Sequence, residues 1–175
     1  MKIADPTQTR VVNEVNVLLE SLPLDGAVVL ELGCGKADKT RTLAQTGRVK
    51  EIVALEVDQI QHAKNLQVTD LPAVRFAQGG AEAIPLPDAS VDLVLMFKSL
   101  HHVPMERMDD ALSEIARVLK PGGLAWISEP VYAGELNEVF KLFHDEKVVR
   151  EAAFAAVQRA VSDGRLALKE EMFFL

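Results

Sequence analysis

An apolar run that ends in an acid and two glycines, Val28-Val29-Leu30-Glu31-Leu32-Gly33-Cys34-Gly35, constrains this chain more than any other stretch. The run reads as a buried strand. The glycines read as a turn without Cβ atoms, so backbone can come close to a small ligand at the strand's end. A helical pattern starts at Asp38. A helix N-terminus offers free N–H groups and partial positive charge. Such a loop suits a carboxylate or a phosphate.

Strand and helix signals alternate on either side of it. Val11, Val12, Val15, Leu18, Leu19 and Leu22 mark a helix over 7–22, begun near Asp5-Pro6-Thr7 and stopped by Pro23. Strands are expected at 28–32, 52–57, 74–77, 91–97 and 124–128. Helices are expected at 38–45, at 59–68 and from Met108 to Leu119, the last ended by Pro121-Gly122-Gly123. A long helix over 135–162, capped by Gly164, and a terminal strand over 166–175 complete the reading. The alternation predicts an α/β, Rossmann-like three-layer sandwich, with a mainly parallel sheet and helices on both faces. No repeat, linker or composition break divides the chain, so residues 1–175 read as one domain.

Charge and cysteine content narrow the partners. The formal net charge is -7, which argues against a non-specific nucleic-acid binder. Lys36, Lys39, Arg41, Arg48 and Lys50 lie close together in sequence, and a solvated helix face accounts for them. Cys34 is the one cysteine, so no internal disulfide forms. Residues 1–7 hold no apolar signal core, and no run is long enough to span a membrane. A cytoplasmic location is the resulting expectation.

Glu56 ends the second strand, where an acid can accept hydrogen bonds from both hydroxyls of a ribose. Asp58 is the competing candidate. Both a dinucleotide and an adenosyl ligand fit these signals. A dinucleotide loop needs a third glycine where Asp38 stands, and an acid there is a poor neighbour for a pyrophosphate. No Walker-type loop occurs.

Five segments together resemble class I S-adenosylmethionine-dependent methyltransferases. They are Glu31-Leu-Gly-Cys-Gly35, Glu56, Gly79-Gly-Ala-Glu-Ala-Ile-Pro-Leu-Pro-Asp-Ala-Ser-Val-Asp-Leu-Val94, Leu100-His-His-Val103 and Glu114-Ile-Ala-Arg-Val-Leu-Lys-Pro-Gly-Gly123. The likeness covers roughly residues 25–132 and is nearest the small-molecule branch that holds the ubiquinone and menaquinone methyltransferases. It implies S-adenosylmethionine as cofactor and methyl transfer to a small molecule, at oxygen or carbon rather than nitrogen. The [ND]-P-P-[YF] segment of many amino-group enzymes is missing after the fourth strand, where Phe97-Lys-Ser-Leu-His101 stands.

The resemblance also implies roles. Glu31, Gly33, Cys34 and Gly35 would surround the methionine part of the cofactor. Glu56 would take the ribose hydroxyls with Val57 beside it, and Ala81 and Glu82 would flank the adenine. Phe97, Lys98 and His102 would stand near the sulfonium and the incoming nucleophile. Independently of the resemblance, histidine chemistry makes His101 or His102 the candidate general base, with Glu129 and Tyr132 behind them; the family pattern suggests instead that His102 packs or hydrogen-bonds within its loop. His62, His101, His102 and His144 show no metal-ligand spacing on one helix face, so no metal is expected. Two departures stand out. Ala37 occupies a position that is often glycine in the family, and Gly80 one that is often aspartate.

The sheet of the family it resembles normally ends in strands six and seven, and this chain is expected to lack the last. A terminal strand finishing in Phe173-Phe174-Leu175 would leave an open sheet edge. The expectation is a truncated form of a longer protein, or an edge covered by a partner such as a second copy. Two rival functions remain: a nicotinamide-dependent (NAD-type) oxidoreductase domain, and a cofactor-binding module that has lost its chemistry.

Overall fold

The computed structural model describes residues 1–5, 7–132 and 145–175. Val28–Leu32 forms β1 in the middle of a five-stranded sheet, because its residues are apolar on both faces and can be covered from both sides. β2 (Glu51–Glu56) and β3 (Val74–Gln78) lie on one flank, β4 (Val91–Phe97) and β5 (Leu119–Ser128) on the other. The order β3-β2-β1-β4-β5 is parallel throughout. The chain reverses direction across the sheet between β1 and β4, the place where such sheets bind ligands.

Alternate side chains feed two cores. Leu30, Leu32, Val53, Leu55, Val94 and Met96 meet Leu112 and Ile115 of α4 (Met108–Val118) and Ala153, Ala156 and Ala160 of α5 (Lys147–Ser162). Val29, Ile52, Leu93, Leu95 and Trp126 meet Val17 and Leu18 of α1 (Glu14–Ser21) and Leu43 of α2 (Asp38–Gln45). Small alanines let α5 approach closely. α3 (Gln59–Asn65) packs on β2 and β3. Among the described residues no helix is long and apolar enough to cross a membrane.

Four expectations change. The first helix starts at Glu14 rather than near Asp5. Asn13 caps it by accepting from the Val15 N–H, while Asp5 is engaged in a turn with Thr7. α3 is shorter than 59–68, ending at Asn65. Pro121-Gly122-Gly123 lies within β5 rather than merely ending a helix. Val91 pairs with Leu119 and Leu93 with Leu124, so the proline and glycines bulge out between them, with Gly122 at φ +80°. The terminal segment 166–175 is not a strand. Met172 and Phe174 are instead drawn onto the α1 side of the core, and Leu175 exchanges backbone bonds with Arg10 and Val12 at 2.8 and 3.1 Å. Burial of these side chains against an existing core outweighs edge pairing, and among the described residues β5 is the sheet's border. The first part of the helix expected over 135–162 falls outside the described residues; Asp145 and Glu146 are not helical, and α5 begins only at Lys147.

Candidate active site

The site begins with why two glycines follow β1. Gly33 has φ +72°, and a Cβ there would sit 2.9 Å from the Ser99 Cβ. Ser99 cannot retreat easily, since its hydroxyl donates to the Leu32 carbonyl at 2.9 Å. The Gly33 and Cys34 N–H groups both donate to the Leu55 carbonyl, at 3.0 and 2.9 Å, which ties the turn to β2. Gly35 has φ +53° and faces open space where a side chain would start. Its N–H donates to Glu56 Oε2 at 2.7 Å.

Glu56 therefore reaches back from the end of β2 into the glycine turn. Its other oxygen accepts from the Asp58 N–H at 2.9 Å. The carboxylate is buried yet bonded to main chain only by hydrogen bonds that leave lone pairs for further donors. Asp58 is committed differently. Its carboxylate caps α3, accepting from the Ile60 and Gln61 N–H groups at 2.7 and 3.1 Å. Val57 between them is 60% exposed, an apolar surface at the mouth of the site.

Glu31 is buried beneath the turn and accepts from the Thr40 hydroxyl at 2.6 Å. Burial pushes its carboxyl up to about 7, against the opposing pull of Thr40 and the Lys39 charge. Cys34 is also buried, and burial with the nearby charges of Glu31 and Glu56 pushes its thiol up to about 12. It stays protonated at neutral pH and is a poor nucleophile. Asn65 on α3 clips the turn from the far side, donating to the Gly35 carbonyl at 2.9 Å, and is itself held by Gln61. Thr40, Asn65 and Ser99 escaped sequence reasoning, since small polar residues inside helices and loops carry no signal until their partners are known.

The segment after β3 is pinned by α4. Glu114 accepts from the Ile84 N–H at 2.8 Å, and Arg117 donates to the carbonyls of Ile84 and Leu86 at 3.0 and 2.9 Å. Arg117 also pairs with Glu114 and Asp88, so its guanidinium is held more firmly charged than usual and the Glu114 carboxyl is lowered. This explains why Glu114 and Arg117 stand three apart ahead of the proline-glycine bulge. Ala81 is buried. The Glu82 carboxylate lies directly over Gly80, filling the space where a side chain at 80 would begin.

Beyond β4 the chain takes a strained step. Lys98 is exposed at φ +52°, and its N–H donates to the Ser128 carbonyl at 2.7 Å. Lys39 reaches over the Phe97 ring, 4.4 Å from its centroid, and pairs with Glu14 of α1 at 3.2 Å. It is thus no mere solvated charge. Arg41 and Arg48 likewise go to separate acids, Asp70 and Asp25, so these three charges do not gather into one basic patch.

The two histidines separate. His101 is buried, its Nδ1 bonded to Glu129 at 2.5 Å, and Glu129 also accepts from the Leu100 N–H at 2.8 Å. His102 is exposed, its ring centroid 4.1 Å from that of His101. Glu146, at the cap of α5, joins them: ligand atoms of His101, His102 and Glu146 lie within 4.8 Å of one another. His144 falls outside the described residues, and Tyr132 is half-buried. Two surface hollows lie elsewhere, one against α5 and one of about 320 Å³ at the amino ends of β1, β4 and β5. Neither is lined by any of these residues, so position in the sheet locates the site better than concavity does.

Residues 30–127 match a family model described as a methyltransferase domain. The chain belongs to the class I S-adenosylmethionine-dependent methyltransferases. The match covers β1 to β5 except Val28, Val29 and Ser128, and it sets the oxidoreductase reading aside. The methyltransferase domain is 37% identical over 102 residues to a fatty-acid O-methyltransferase of Mycolicibacterium smegmatis, covering 57% of this chain and 36% of that protein. It is 36% identical over 147 residues to an uncharacterised methyltransferase of Mycobacterium tuberculosis, covering 79% of this chain and 58% of that one. The YcgJ protein of Bacillus subtilis superposes with a TM-score of 0.71 at 25% identity, over 87% of this chain and 68% of that chain. The chain thus spans between about a third and three fifths of these curated relatives.

Proposed function

We propose that this single domain binds S-adenosylmethionine between the glycine turn and Glu56, and passes its methyl group to oxygen or carbon of a small molecule lying beyond β4. The observation that carries the reading is the 2.7 Å bond from the Gly35 N–H to Glu56. It puts an acid with spare acceptor capacity at the lip of a turn whose Gly35 position opens on empty space. The residues present fit the cofactor. Glu56 would hold the ribose hydroxyls, and Asp58 is engaged in capping. Glu31, with Gly33, Cys34 and Gly35, would receive the amino-acid end, its carboxyl favouring an ammonium once ionised. Ala81, Glu82 and the exposed Val57 would flank the adenine, with the Glu82 carboxylate standing in for the family's aspartate at 80.

When bound, that cofactor supplies a methyl group already activated by positive sulfur. The protein has mainly to align a nucleophile and, where needed, remove a proton. Phe97 and Lys98 lie at the right end of β4 to line that approach. His102, the exposed member of the pair, is the better general base, and His101 bonded to Glu129 positions it. The fatty-acid relative makes an apolar carboxylic acid the first acceptor to try, with Lys98 as its counter-charge. The outer edge of β5, unpaired among the described residues, is where further chain or a second copy would add.

Calorimetry with S-adenosylmethionine and its demethylated product tests the reading. Binding of both in the micromolar range is expected; no heat with either at millimolar concentration overturns it. Binding without label transfer to any acceptor pool points instead to a domain that has lost its chemistry.

A further inference from the structure

We infer that His101, His102 and Glu146 form a binding site for a divalent transition-metal ion beside the methyl-transfer site, so that with the ion bound His102 is a ligand and no longer serves as the general base. Two imidazoles and one carboxylate have their ligand atoms within 4.8 Å of one another. Bonds of about 2.0–2.2 Å bring such atoms within roughly 4 Å of one another, so small side-chain rotations close the set on an ion. The donors come from separate parts of the chain: the 3-10 turn Leu100–His102, which packs against α5, and Glu146 at the N-cap of that helix. A second observation independently suits a metal. Glu129 holds His101 Nδ1 at 2.5 Å and also accepts from the Leu100 N–H, which fixes the ring and leaves Nε2 as its ligating atom. A carboxylate behind an imidazole is how metal-bound histidines are oriented and made more basic.

The donor set selects the ion. Nitrogen with a single carboxylate suits zinc, iron, cobalt or nickel and does not suit magnesium or calcium, which prefer oxygen cages. Three protein ligands leave at least one position for water or an oxygen of another molecule. Arg150 already bonds Glu146 Oε2 at 2.6 Å, so the arginine and the ion share this carboxylate, and affinity is expected to be moderate. Sequence spacing could not show the site: His102 and Glu146 lie far apart in the chain, and adjacent histidines on their own are not a ligand pattern.

The test uses cobalt(II) as a coloured probe on the whole chain, without cofactor or acceptor, so it is independent of the methyl-transfer reading. One equivalent is expected to bind with a dissociation constant in the micromolar range and to give visible ligand-field bands. No thiolate charge-transfer band is expected, because Cys34 takes no part. His102→Ala and Glu146→Gln are each expected to weaken binding at least tenfold, with zinc competing for the same site. His62→Ala, outside the cluster, leaves the affinity unchanged. His101 is buried and its removal could unfold the chain, so the two partly exposed positions carry the test. Absence of saturable binding at millimolar cobalt, or equal binding by His102→Ala and Glu146→Gln, overturns the inference.

Discussion

The carboxyl ends of β1 and β2 are built differently from those of β4 and β5. On the first side, main chain does the holding: Gly33, Cys34, Gly35 and Asp58 donate N–H groups to the Leu55 carbonyl or to Glu56. On the second, side chains from distant segments meet, His101 with Glu129 and both histidines with Glu146. A cofactor common to a family can be met by a fixed backbone. An acceptor that differs from one relative to the next needs a surface that side chains can vary. The division predicts that the two sides fail separately when mutated.

The largest expected effect tests that separation. Glu56→Ala should weaken S-adenosylmethionine binding roughly 30- to 150-fold, the worth of charge-assisted hydrogen bonds of about 2–3 kcal/mol. Glu129→Gln should leave that affinity within about threefold in calorimetry. If Glu129→Gln costs as much as Glu56→Ala, the two sides are one unit and the comparison is broken.

Gly33→Ala comes next and acts on stability. Any L side chain at φ +72° loses about 1–2 kcal/mol, and here the new Cβ also meets Ser99. Gly26 has nearly the same φ, +71°, but nothing near its missing Cβ. Urea denaturation should therefore show Gly33→Ala to be more damaging than Gly26→Ala by about 1 kcal/mol or more. Equal losses would mean that Ser99 moves aside and that the turn is softer than the hydrogen bonds suggest.

The same contrast decides what could be read from the sequence. β1, α2 and β4 stand where their patterns put them, because strand, turn and helix are local and their residues are consecutive. Glu56 stood out only beside the glycine turn, since an acid after a buried strand is on its own most simply a solvated carboxylate; the fold joins the two through the Gly35 N–H. Asn65 and Thr40 were not: each looks like an ordinary polar residue of an amphipathic helix until the fold turns it inward to the Gly35 carbonyl or to Glu31. The pairing of His101 with Glu129 spans 28 residues and depends on β4 and β5 being neighbours. The tail misread as a strand shows a related limit. Met172 and Phe174 alternate as a strand would, but alternation says only that one side is covered, not by what.

A middle-sized effect links Glu31 to pH. Its carboxyl ionises near 4.5 when unfolded and about 7 when folded. Between those values the folded chain keeps a proton that the unfolded chain has lost. This group's contribution to stability is therefore greatest below pH 4.5, falls as pH rises, and levels off above about 7. A ligand ammonium needs the ionised form, so cofactor affinity should rise about tenfold from pH 6 to pH 8. Glu31→Gln should flatten that profile. A profile unchanged by the substitution would assign the ammonium to another acceptor and leave Glu31 a buried partner of Thr40.

Ala37 provides the smallest and most diagnostic change. It starts α2 from a left-handed conformation, φ 62° and ψ 29°, with no side-chain cap. Its Cβ works against that backbone by about 1–2 kcal/mol. Glycine would remove the strain but give the unfolded chain more freedom, worth about 0.4–1 kcal/mol in the other direction. Ala37 is also buried, and a deleted methyl forfeits some packing. The balance leaves Ala37→Gly between neutral and about 1 kcal/mol more stable, a rise of up to roughly 2–4 °C in Tm for a chain of this size. Cofactor affinity should hold or improve slightly, since the turn keeps its N–H groups and loses only bulk. A loss of more than about 1 kcal/mol would show that the Ala37 methyl is part of the packing under the turn. The alanine would then be a working component of this chain's cofactor side, where the family more often has a glycine.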